Sequence, residues 1–315
     1  MKPWACVESK GRVRPEKPDG IRNDFQRDRD RIIHAKAFRR LMHKTQVFIA
    51  PYGDHFRTRL THTLEMMQVS RTIARALGLN EDLAEAIAFG HDLGHTPFGH
   101  TGEEALSKIL APYGRTFLHN EHSLRVVDVL EKGGEGLNLT LEVRDGILNH
   151  TGRGRPVTRE GEIVRIADRI AYINHDVDDA RRAGIIHWEE LPKKPIAVLG
   201  EQMSRRIDTL VRDMISTSEE KGKIALSEEV YDALMELRTW LFQNVYRNPN
   251  SRQNARAGEV VAGLFLYYLE HPEERVKSDP DPVSETVDYV AGMTDRYALA
   301  EYRRIFLPQG DVILD

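Results

Sequence analysis

The sequence predicts an all-α fold. Apolar residues recur at helical spacing along most of the chain, capping residues and glycines separate these stretches, and alternating strand patterns are scarce. The places that suit one short β-hairpin are 45–56 and 184–199. We expect an N-terminal arm over 1–23 and then a single helical domain over 24–315, with the main motifs in 24–182 and C-terminal helices in 197–315.

The chain begins with a polar stretch over 1–20, whose prolines favour irregular, loosely ordered structure. The helical pattern starts at Asp24, and along 24–44 apolar side chains share one face while Arg and Lys fill the remainder. This basic side is either a solvated helix face or a surface that meets an anionic group. Its members are Arg27, Arg29, Arg31, Arg39, Arg40 and Lys44.

Local signals also place the later helices. One is expected from about Thr61 to Leu77, where Gly78 ends it. Asn80 is expected to cap the next helix, and Thr101 with Glu104 has the spacing of a capping box. Further helices are predicted over roughly 120–132, 139–150, 160–182, 197–217, 226–246, 254–270 and 283–305.

Composition argues against several classes of protein. The net charge is -4, from 45 Lys and Arg against 49 Asp and Glu, which does not favour bulk nucleic-acid binding, although a local groove for single-stranded DNA stays open. The one cysteine, Cys6, cannot form an internal disulfide, which favours a reducing compartment. The first residues lack the apolar core of a signal peptide, and no apolar stretch approaches the ~18 residues of a membrane span. We therefore expect a soluble, cytoplasmic protein with no membrane partner.

Histidines cluster in the stretch "HDLGHTPFGHTGEE", which begins at His91. His91 and Asp92 are neighbours in sequence, so they can share an ion only where a helix ends and the two side chains converge. An imidazole and a carboxylate together suit a divalent transition metal, and the metal then needs further ligands. Candidates are His62, near the start of the preceding helix, and Asp168.

Asp168 lies in "EIVRIADRIAYINHDVDDA", a segment that is apolar almost all round as a helix. Asp168, Tyr172 and Asp176 follow one another at i, i+4 and i+8 on the same side. A helix of this kind is usually buried, and a buried carboxylate needs a partner because an unpaired charge is costly there. The three side chains therefore predict an internal polar site.

A rival metal site would use His91 and His95, since "HDLGH" has the histidine spacing of the zinc-protease motif "HExxH". The central acid here is the shorter Asp instead of Glu. Gly94 and Pro97 also make the segment a poor helix interior, so we do not favour this reading. His95 is expected to shape the turn or line the pocket.

Several long motifs together resemble the HD-domain phosphohydrolases, and more narrowly the bacterial deoxyguanosine triphosphate triphosphohydrolase-like enzymes. The matching stretches are "FQRDRDRIIHAKAFRRLMHKTQVF", "HFRTRLTHTLE", "AIAFGHDLGHTPFGHTGEEAL", "FLHNEHSLRVV" and "EIVRIADRIAYINHDVDDA". They cover about residues 24–182. The resemblance implies an α-helical HD-domain fold with a C-terminal helical extension.

The resemblance also implies roles for individual residues. The residues that would bind one divalent metal ion (Mn, Mg, Fe, Co, Ni or Zn) are His62, His91, Asp92 and Asp168. The residues implied in catalysis are His100, the acid Glu103 that orients it, and His119 as a second pocket histidine. The residues implied in substrate binding are Gln46, Arg59, Tyr172 and Asp176. His122 departs from the family pattern, which has Gln at this place in "HNEQS".

The implied reaction is attack of water on the α-phosphate of a deoxynucleoside triphosphate, which releases the deoxynucleoside and intact triphosphate. The residue types suit it: the leaving 5′-oxygen needs a proton that a histidine can hold, and Arg57, Arg59 and the basic side of 24–44 can meet the phosphate tail. The resemblance further implies a homo-oligomer, commonly a tetramer or hexamer, and the possibility of a nucleotide activator.

Two alternatives stay open from the sequence. The same metal residues would serve a phosphodiesterase or nucleotidase that acts on another phosphate ester. The chain could also be a non-catalytic module that binds nucleotides or nucleic acid. Intact His100 and Glu103 argue against that module, because a protein that only binds needs no proton donor.

Overall fold

The computed structural model describes residues 2–46, 56–246 and 252–308. Within these ranges the chain forms α-helices joined by turns and shows no β-strand, which confirms the predicted all-α class. The helices are α1 (Asp24–Ile33), α2 (Lys36–Arg40), α3 (Arg59–Ala76), α4 (Glu81–Gly90), α5 (Gly99–Leu110), α6 (His119–Arg125), α7 (Leu141–Asn149), α8 (Arg159–Arg182), α9 (Lys193–Leu199), α10 (Met203–Lys221), α11 (Glu228–Leu241), α12 (Arg252–Glu270), α13 (Pro282–Ala291) and α14 (Asp295–Phe306).

The hairpin expected over 184–199 is wrong, because this segment holds a 3₁₀ turn at Trp188–Glu190 and then α9. Of the other expected hairpin, 47–55 lie outside the described residues. The flanking residues Thr45 and Thr58 form one isolated antiparallel bridge. Neither place therefore shows a strand among the residues that the structure describes.

Helix starts follow the predicted caps in one case and not in the other. The Asn80 side chain accepts hydrogen bonds from Asp82 N and Leu83 N, as its position before α4 predicts. The capping box expected at Thr101 is wrong: α5 begins two residues earlier, at Gly99, and follows Phe98 in the left-handed conformation (φ 60°, ψ 24°). Thr101 therefore lies inside the first turn of α5.

Three predicted helices are interrupted. The pattern from Asp24 breaks at His34 and Ala35 between α1 and α2, the segment 197–217 breaks after Gly200, and 283–305 breaks at 292–294. Gly200 has φ +110°, which only glycine adopts readily. Each interruption divides one predicted helix into two shorter ones, and at 292–294 both of these, α13 and α14, pack on α12.

Within the described residues, buried apolar side chains form two clusters. The larger one, here the first core, is built mainly by α1, α3, α4, α7, α8, α10 and α11. The second core joins α5 to the C-terminal helices α12, α13 and α14, with α5 lying along α12. Phe98, at the start of α5, inserts its side chain into the second core.

The N-terminal arm is irregular, as predicted, but it is not loosely ordered: it packs on the helices. Cys6 N donates to Glu160 at 3.1 Å, Lys10 N donates to Glu142 at 2.9 Å, and Arg12 pairs with Asp28. All three carboxylates are buried. The arm therefore supplies partners to Glu142, and it adds partners to Glu160 and Asp28, which also accept from Asn80 N and Thr140 N. None of the helices described is both long and apolar enough to cross a membrane.

Candidate metal centre and active site

The four residues predicted to bind a metal ion lie next to one another. α3 carries His62, the turn after α4 carries His91 and Asp92, and the ligand atoms of these three residues lie within 4.8 Å of one another. Asp168 of α8 places its Oδ1 3.1 Å from His62 Nε2 and 3.9 Å from His91 Nε2. Three helices distant in sequence therefore converge on one buried polar cluster, here called the HD cluster.

The turn that follows α4 is held by α6. The Ser123 hydroxyl donates to His91 O at 2.7 Å and accepts from Gly94 N at 2.8 Å. A Cβ on Gly94 would collide with the backbone of Ser123, so only glycine allows α6 to come this close. The helix end predicted from Gly94 thus places His91 and Asp92 side by side.

The chemistry of His91 fits a metal ligand. Its Nδ1 donates to Ala88 O at 2.7 Å, which puts the ring proton on Nδ1 and leaves the lone pair of Nε2 free. His91 Nε2 is buried and has no hydrogen-bond partner among the described residues. Together with two carboxylates and a second imidazole, this orphaned nitrogen fits a divalent metal site.

Electrostatics keep both carboxylates of the cluster ionised. Burial raises the pKa of Asp92, but the neighbouring side chains of His91 and Arg59 outweigh this effect and hold the pKa well below its usual value. Burial likewise opposes ionisation of Asp168, yet the hydrogen bond from His62 lowers the pKa of Asp168 to about 2. Arg59 Nη1 contributes directly, since it donates to Asp92 Oδ2 at 2.7 Å.

A second group of side chains, here the histidine array, lies beside the HD cluster. Glu103 on α5 is its centre: its Oε2 is 3.3 Å from His100 Nδ1, and its Oε1 is 3.0 Å from His119 Nδ1. Glu103 also accepts a hydrogen bond from His119 N at 2.9 Å. The three residues predicted to be catalytic are thus joined by one carboxylate.

The array extends to His150, which sequence reasoning missed. His119 Nε2 lies 3.3 Å from His150 Nε2, and His150 Nδ1 donates to Ile147 O. Burial lowers the pKa of His150 to about 3, so its Nε2 is an acceptor. His119 therefore donates from both nitrogens, as an imidazolium. Burial lowers the pKa of His119, but its hydrogen bond to Glu103 more than compensates and raises it.

His95 connects the two groups of side chains. Its ring stacks on that of His119 with centroids 4.0 Å apart, and its Nε2 lies 3.4 Å from Asp92 Oδ1. Burial and the charge of Arg59 hold the pKa of His95 well below its usual value. His95 therefore lies buried between the two groups as a neutral side chain, and its expected role of shaping the turn or lining the pocket stays a prediction.

Cation-binding geometry is not confined to the four predicted ligands. Two further sets of side chains also place three ligand atoms within 4.8 Å of one another: Asp92, His119 and His150, and His95, Glu103 and His119. The site thus fits a divalent metal without fixing its identity or the number of ions.

The four residues predicted to bind substrate lie around this site. Arg59 and Gln46 both border the start of α5, because a Cβ on Gly99 would lie 3.0 Å from Arg59 Nη2 and 3.2 Å from Gln46 O. Tyr172 OH accepts from Arg238 Nε at 2.7 Å, and Asp176 accepts from the Tyr246 hydroxyl. Burial raises the pKa of Asp176 to about 7.

Arg238 and Tyr246 were not predicted, and neither was His175, whose Nδ1 lies 3.3 Å from His62 Nδ1. His175 stands beside Asp176 in "NHDVDD", so the motif itself carried that signal. Arg238 and Tyr246 come from the C-terminal half, where nothing in the sequence marked them. Helix packing alone brings them to α8.

Most cations of the basic side of 24–44 are engaged within the fold. Arg27 and Arg31 both pair with Glu16 of the N-terminal arm, at 2.7 and 2.5 Å. Lys44 is buried and donates to His95 O and to Ala291 O. Arg57, also suggested for a phosphate tail, pairs with Glu65, Asp178 and Asp179. These cations hold the fold together and are not available to an external anion.

His122, the departure from the family pattern, is a buried connector. Its Nδ1 lies 3.0 Å from Gly94 O and its Nε2 lies 3.3 Å from Asp288 Oδ1. It faces the turn after α4 on one side and α13 on the other, away from the histidine array.

Comparison with known proteins agrees with the fold and the HD cluster. The family model "HD domain" matches residues 59–173, and "Phosphohydrolase-associated domain" matches 224–304. A hypothetical protein from Aquifex aeolicus with a crystal structure shares the fold, with a TM-score of 0.52 at 19% identity over 89% of this chain and 71% of that one. Fold and site together define an HD-domain phosphohydrolase.

Proteins similar in sequence identify a narrower family within the HD-domain phosphohydrolases. A deoxyguanosinetriphosphate triphosphohydrolase-like protein of Caldanaerobacter subterraneus subsp. tengcongensis is 57% identical over 98% of this chain and 93% of its own length. Proteins of the same description from Clostridium perfringens and Desulfatibacillum aliphaticivorans are 50% and 48% identical, over 96% and 98% of this chain and 92% and 95% of theirs. The chain belongs to the family of deoxyguanosinetriphosphate triphosphohydrolase-like proteins.

Proposed function

We propose that this protein hydrolyses deoxynucleoside triphosphates to the deoxynucleoside and inorganic triphosphate. The observation that carries the proposal is the direct adjacency of the HD cluster and the histidine array: His95 touches Asp92 on one side and stacks on His119 on the other. A site that fits a divalent metal and a group of histidines that can carry protons therefore lie side by side. The names of the relatives point to the same substrate class.

The metal ligands in this proposal are His62, His91, Asp92 and Asp168. A divalent cation held there would polarise a phosphoryl oxygen and help to activate water. Arg59 is placed to serve the substrate as well as the cluster, since its Nη1 binds Asp92 while its Nη2 faces the start of α5. A guanidinium between the two groups of side chains can hold a phosphate oxygen while it orients Asp92.

Proton transfer falls to the histidine array. The leaving 5′-oxygen needs a proton, and His100 is the member of the array that reaches solvent, with 74% of its side chain exposed. Burial raises the pKa of Glu103, but hydrogen bonds from His100 and His119 outweigh it and keep this acid ionised. The Glu103 carboxylate lies against Nδ1 of both rings and raises the pKa of His119, so we assign His100 as the general acid and His119 as its charged neighbour.

The sugar would meet α8 and α11. Tyr172 and Asp176 lie one helical turn apart beyond Asp168, and their hydroxyl and carboxyl groups are already oriented by Arg238 and Tyr246. Polar groups fixed in this way discriminate a ligand hydroxyl strongly, because an unmatched group would stay unpaired. Gln46 borders the opposite side, next to Gly99.

The test is product analysis. The purified protein is incubated with each of the four deoxynucleoside triphosphates and with Mn²⁺, Mg²⁺, Co²⁺, Ni²⁺, Zn²⁺ or Fe²⁺ in turn, and the phosphate products are separated by ion exchange. Triphosphate and deoxynucleoside in equal amounts are expected. Pyrophosphate would identify a different bond cleavage, and turnover of other phosphate esters alone would favour a phosphodiesterase or nucleotidase. Binding without turnover, also with a second nucleotide as activator, would favour a non-catalytic module.

A further inference from the structure

The start of α5 is fixed by a single carboxylate from the C-terminal helices. Asp295, the first residue of α14, accepts from Phe98 N at 2.9 Å through Oδ1 and from Thr45 N at 3.0 Å through Oδ2. Asp295 is buried, and both of its oxygens are engaged by backbone amides. Phe98 is the residue before α5, and Thr45 is the residue before Gln46.

Phe98 needs this support because its backbone is strained. It adopts the left-handed conformation, with φ 60° and ψ 24°, which a bulky side chain rarely takes. Its side chain is buried in the second core, and its N–H is held by Asp295. The C-terminal helices thus hold both the backbone and the side chain of Phe98, the residue from which α5 starts.

Two flanking contacts tie the same turn to the same helices. Buried Lys44 joins His95 O to Ala291 O, and buried His122 joins Gly94 O to Asp288 Oδ1. Residue 98 of the turn is therefore connected directly to the first residue of α14, and residues 94 and 95 are each connected to α13 through one intervening side chain. His91 and Asp92, by contrast, are held by Ser123 and Arg59.

From these contacts we infer that Asp295 is a positioning residue, which sets the start of α5 so that His100 and Glu103 face the HD cluster. This inference rests on the proposed function for its catalytic consequence. His100 lies two residues beyond Phe98, and Glu103 one turn further on, so a change in the Phe98 conformation moves both. His62 and Asp168 belong to other elements, and His91 and Asp92, at the other end of the turn, have their own contacts with Ser123 and Arg59, so we expect the metal ligands to stay in place.

The test compares Asp295→Ala and Asp295→Asn with the parent protein as full-length chains. Asp295→Ala removes both acceptors. Asp295→Asn keeps one acceptor oxygen but turns an NH₂ group toward the second amide, so its effect should be intermediate. A control in the same C-terminal helices is Asp281→Ala, which removes the half-exposed N-cap acceptor of α13 for Ser284 N and its ion pair with Arg115, and does not contact the turn.

Two readouts are needed. Hydrogen–deuterium exchange should be faster in peptides covering 94–100 in Asp295→Ala than in the parent or in Asp281→Ala. The kcat for deoxynucleoside triphosphates should fall by about tenfold to a hundredfold, the range in which small misplacements of catalytic groups act, while KM changes less than about twofold. Metal content should stay that of the parent.

Three results would overturn the inference: unchanged exchange at 94–100, unchanged kcat in Asp295→Ala, or a loss of kcat that follows a loss of bound metal. If the parent itself released no product from any deoxynucleoside triphosphate, the proposed function would fail. The exchange comparison would still decide whether Asp295 holds the turn, since it does not depend on turnover.

Discussion

At the scale of single residues, the HD cluster shows how separate signals combine. The sequence indicated three groups that each needed a partner: an imidazole at a helix end, an adjacent carboxylate and a second carboxylate on a buried helix. In the structure these groups lie against one another. His91 illustrates the physical reason. Its Nδ1 is satisfied by its own helix, so its Nε2 is left for something outside the protein.

The first prediction separates metal binding from proton transfer. Asp168→Ala should abolish both metal content and activity, because the cluster loses a carboxylate that contacts both imidazoles. His100→Ala should lower kcat by about a hundredfold or more and leave the metal bound, as general acids commonly contribute 10²–10⁴-fold. Metal analysis by mass spectrometry and steady-state kinetics check both. A His100→Ala protein as active as the parent would remove His100 from the mechanism.

The second prediction concerns pH. Burial raises the pKa of Asp176 to about 7 from 3.8, so the folded state binds a proton that the unfolded state releases above about pH 4. This stabilising contribution is fully present below pH 3.8 and is lost as the pH rises through about 7. The Asp176→Asn variant cannot ionise at this position, so its stability should not show this loss as the pH rises. The difference in free energy of unfolding between parent and variant, measured by urea at several pH values, should therefore change between pH 4 and 7; a constant difference would contradict the assignment.

The sequence could not show which residues from distant segments contact the site residues. His150 and His119 are 31 residues apart in sequence, and Tyr246 reaches Asp176 across 70 residues. No spacing rule links such pairs, because their contact depends on how α6 packs on α7 and where the C-terminal half meets α8. The assigned roles of the site residues, the oligomeric state and the activator stay predictions.

At the scale of elements, the turn between α4 and α5 is the segment on which the site depends. It supplies His91, Asp92 and His95 and leads into His100. Its glycines act by size as well as by conformation: Gly94 lets Ser123 approach, and Gly102 lets α5 approach the carbonyl of Pro97. The sequence predicted that a helix ends here but not where α5 begins, because the signal at Thr101 was local and the Phe98 conformation is imposed by Asp295.

Gly94 offers the third prediction. In Gly94→Ala the added methyl group would collide with the backbone of Ser123, so the turn must move away from α6. Overpacking of this kind costs about 1–3 kcal/mol. The free energy of unfolding should fall by that amount, and metal affinity should fall with it, because Ser123 fixes His91 O. Gly20→Ala is the control, since nothing lies within 4 Å of a Cβ there; an equal effect of the two substitutions would argue against the steric account.

Most helices were predictable because their apolar faces repeat and their caps are polar. The interruptions after Gly200 and at 292–294 were not, since the amphipathic pattern continues on both sides of each break. A local pattern reports that a helix exists and which face is buried. Only the packing partners decide whether one long helix or two shorter ones fit against the core.

At the scale of the whole molecule, the candidate site spans two cores. The metal ligands come from α3, α8 and the end of α4, which pack in the first core, whereas His100 and Glu103 ride on α5, which packs in the second. Composition and periodicity indicated enough apolar residues for a core but could not show this division. Because α5 packs in the second core, the C-terminal helices help to position His100 and Glu103.

The fourth prediction follows from this division. Leu264 and Leu234 are both fully buried, the former in the second core and the latter in the first. Replacing either by Ala should cost about 2–5 kcal/mol of unfolding free energy. At a temperature where both variants stay folded, Leu264→Ala should lower kcat more than Leu234→Ala while metal affinity stays that of the parent. Equal losses of kcat at equal stability would show that the second core has no special part.

The N-terminal arm has a practical consequence for anyone who trims this chain for crystallisation. Cys6, Lys10 and Arg12 are partners of Glu160, Glu142 and Asp28, and each such contact with a buried acid would cost about 1–3 kcal/mol when it is lost, although Glu160 keeps Asn80 N and Asp28 keeps Thr140 N. A shortened version that starts at Asp24 should therefore melt well below the parent in a calorimeter. The deficit should shrink in mildly acidic buffer, because burial raises the pKa of Asp28 and of Glu160 and lets these two carboxyls take up protons. The N-terminal arm completes the packing of the helices. An affinity tag should therefore be attached to the arm through a spacer and should not replace it.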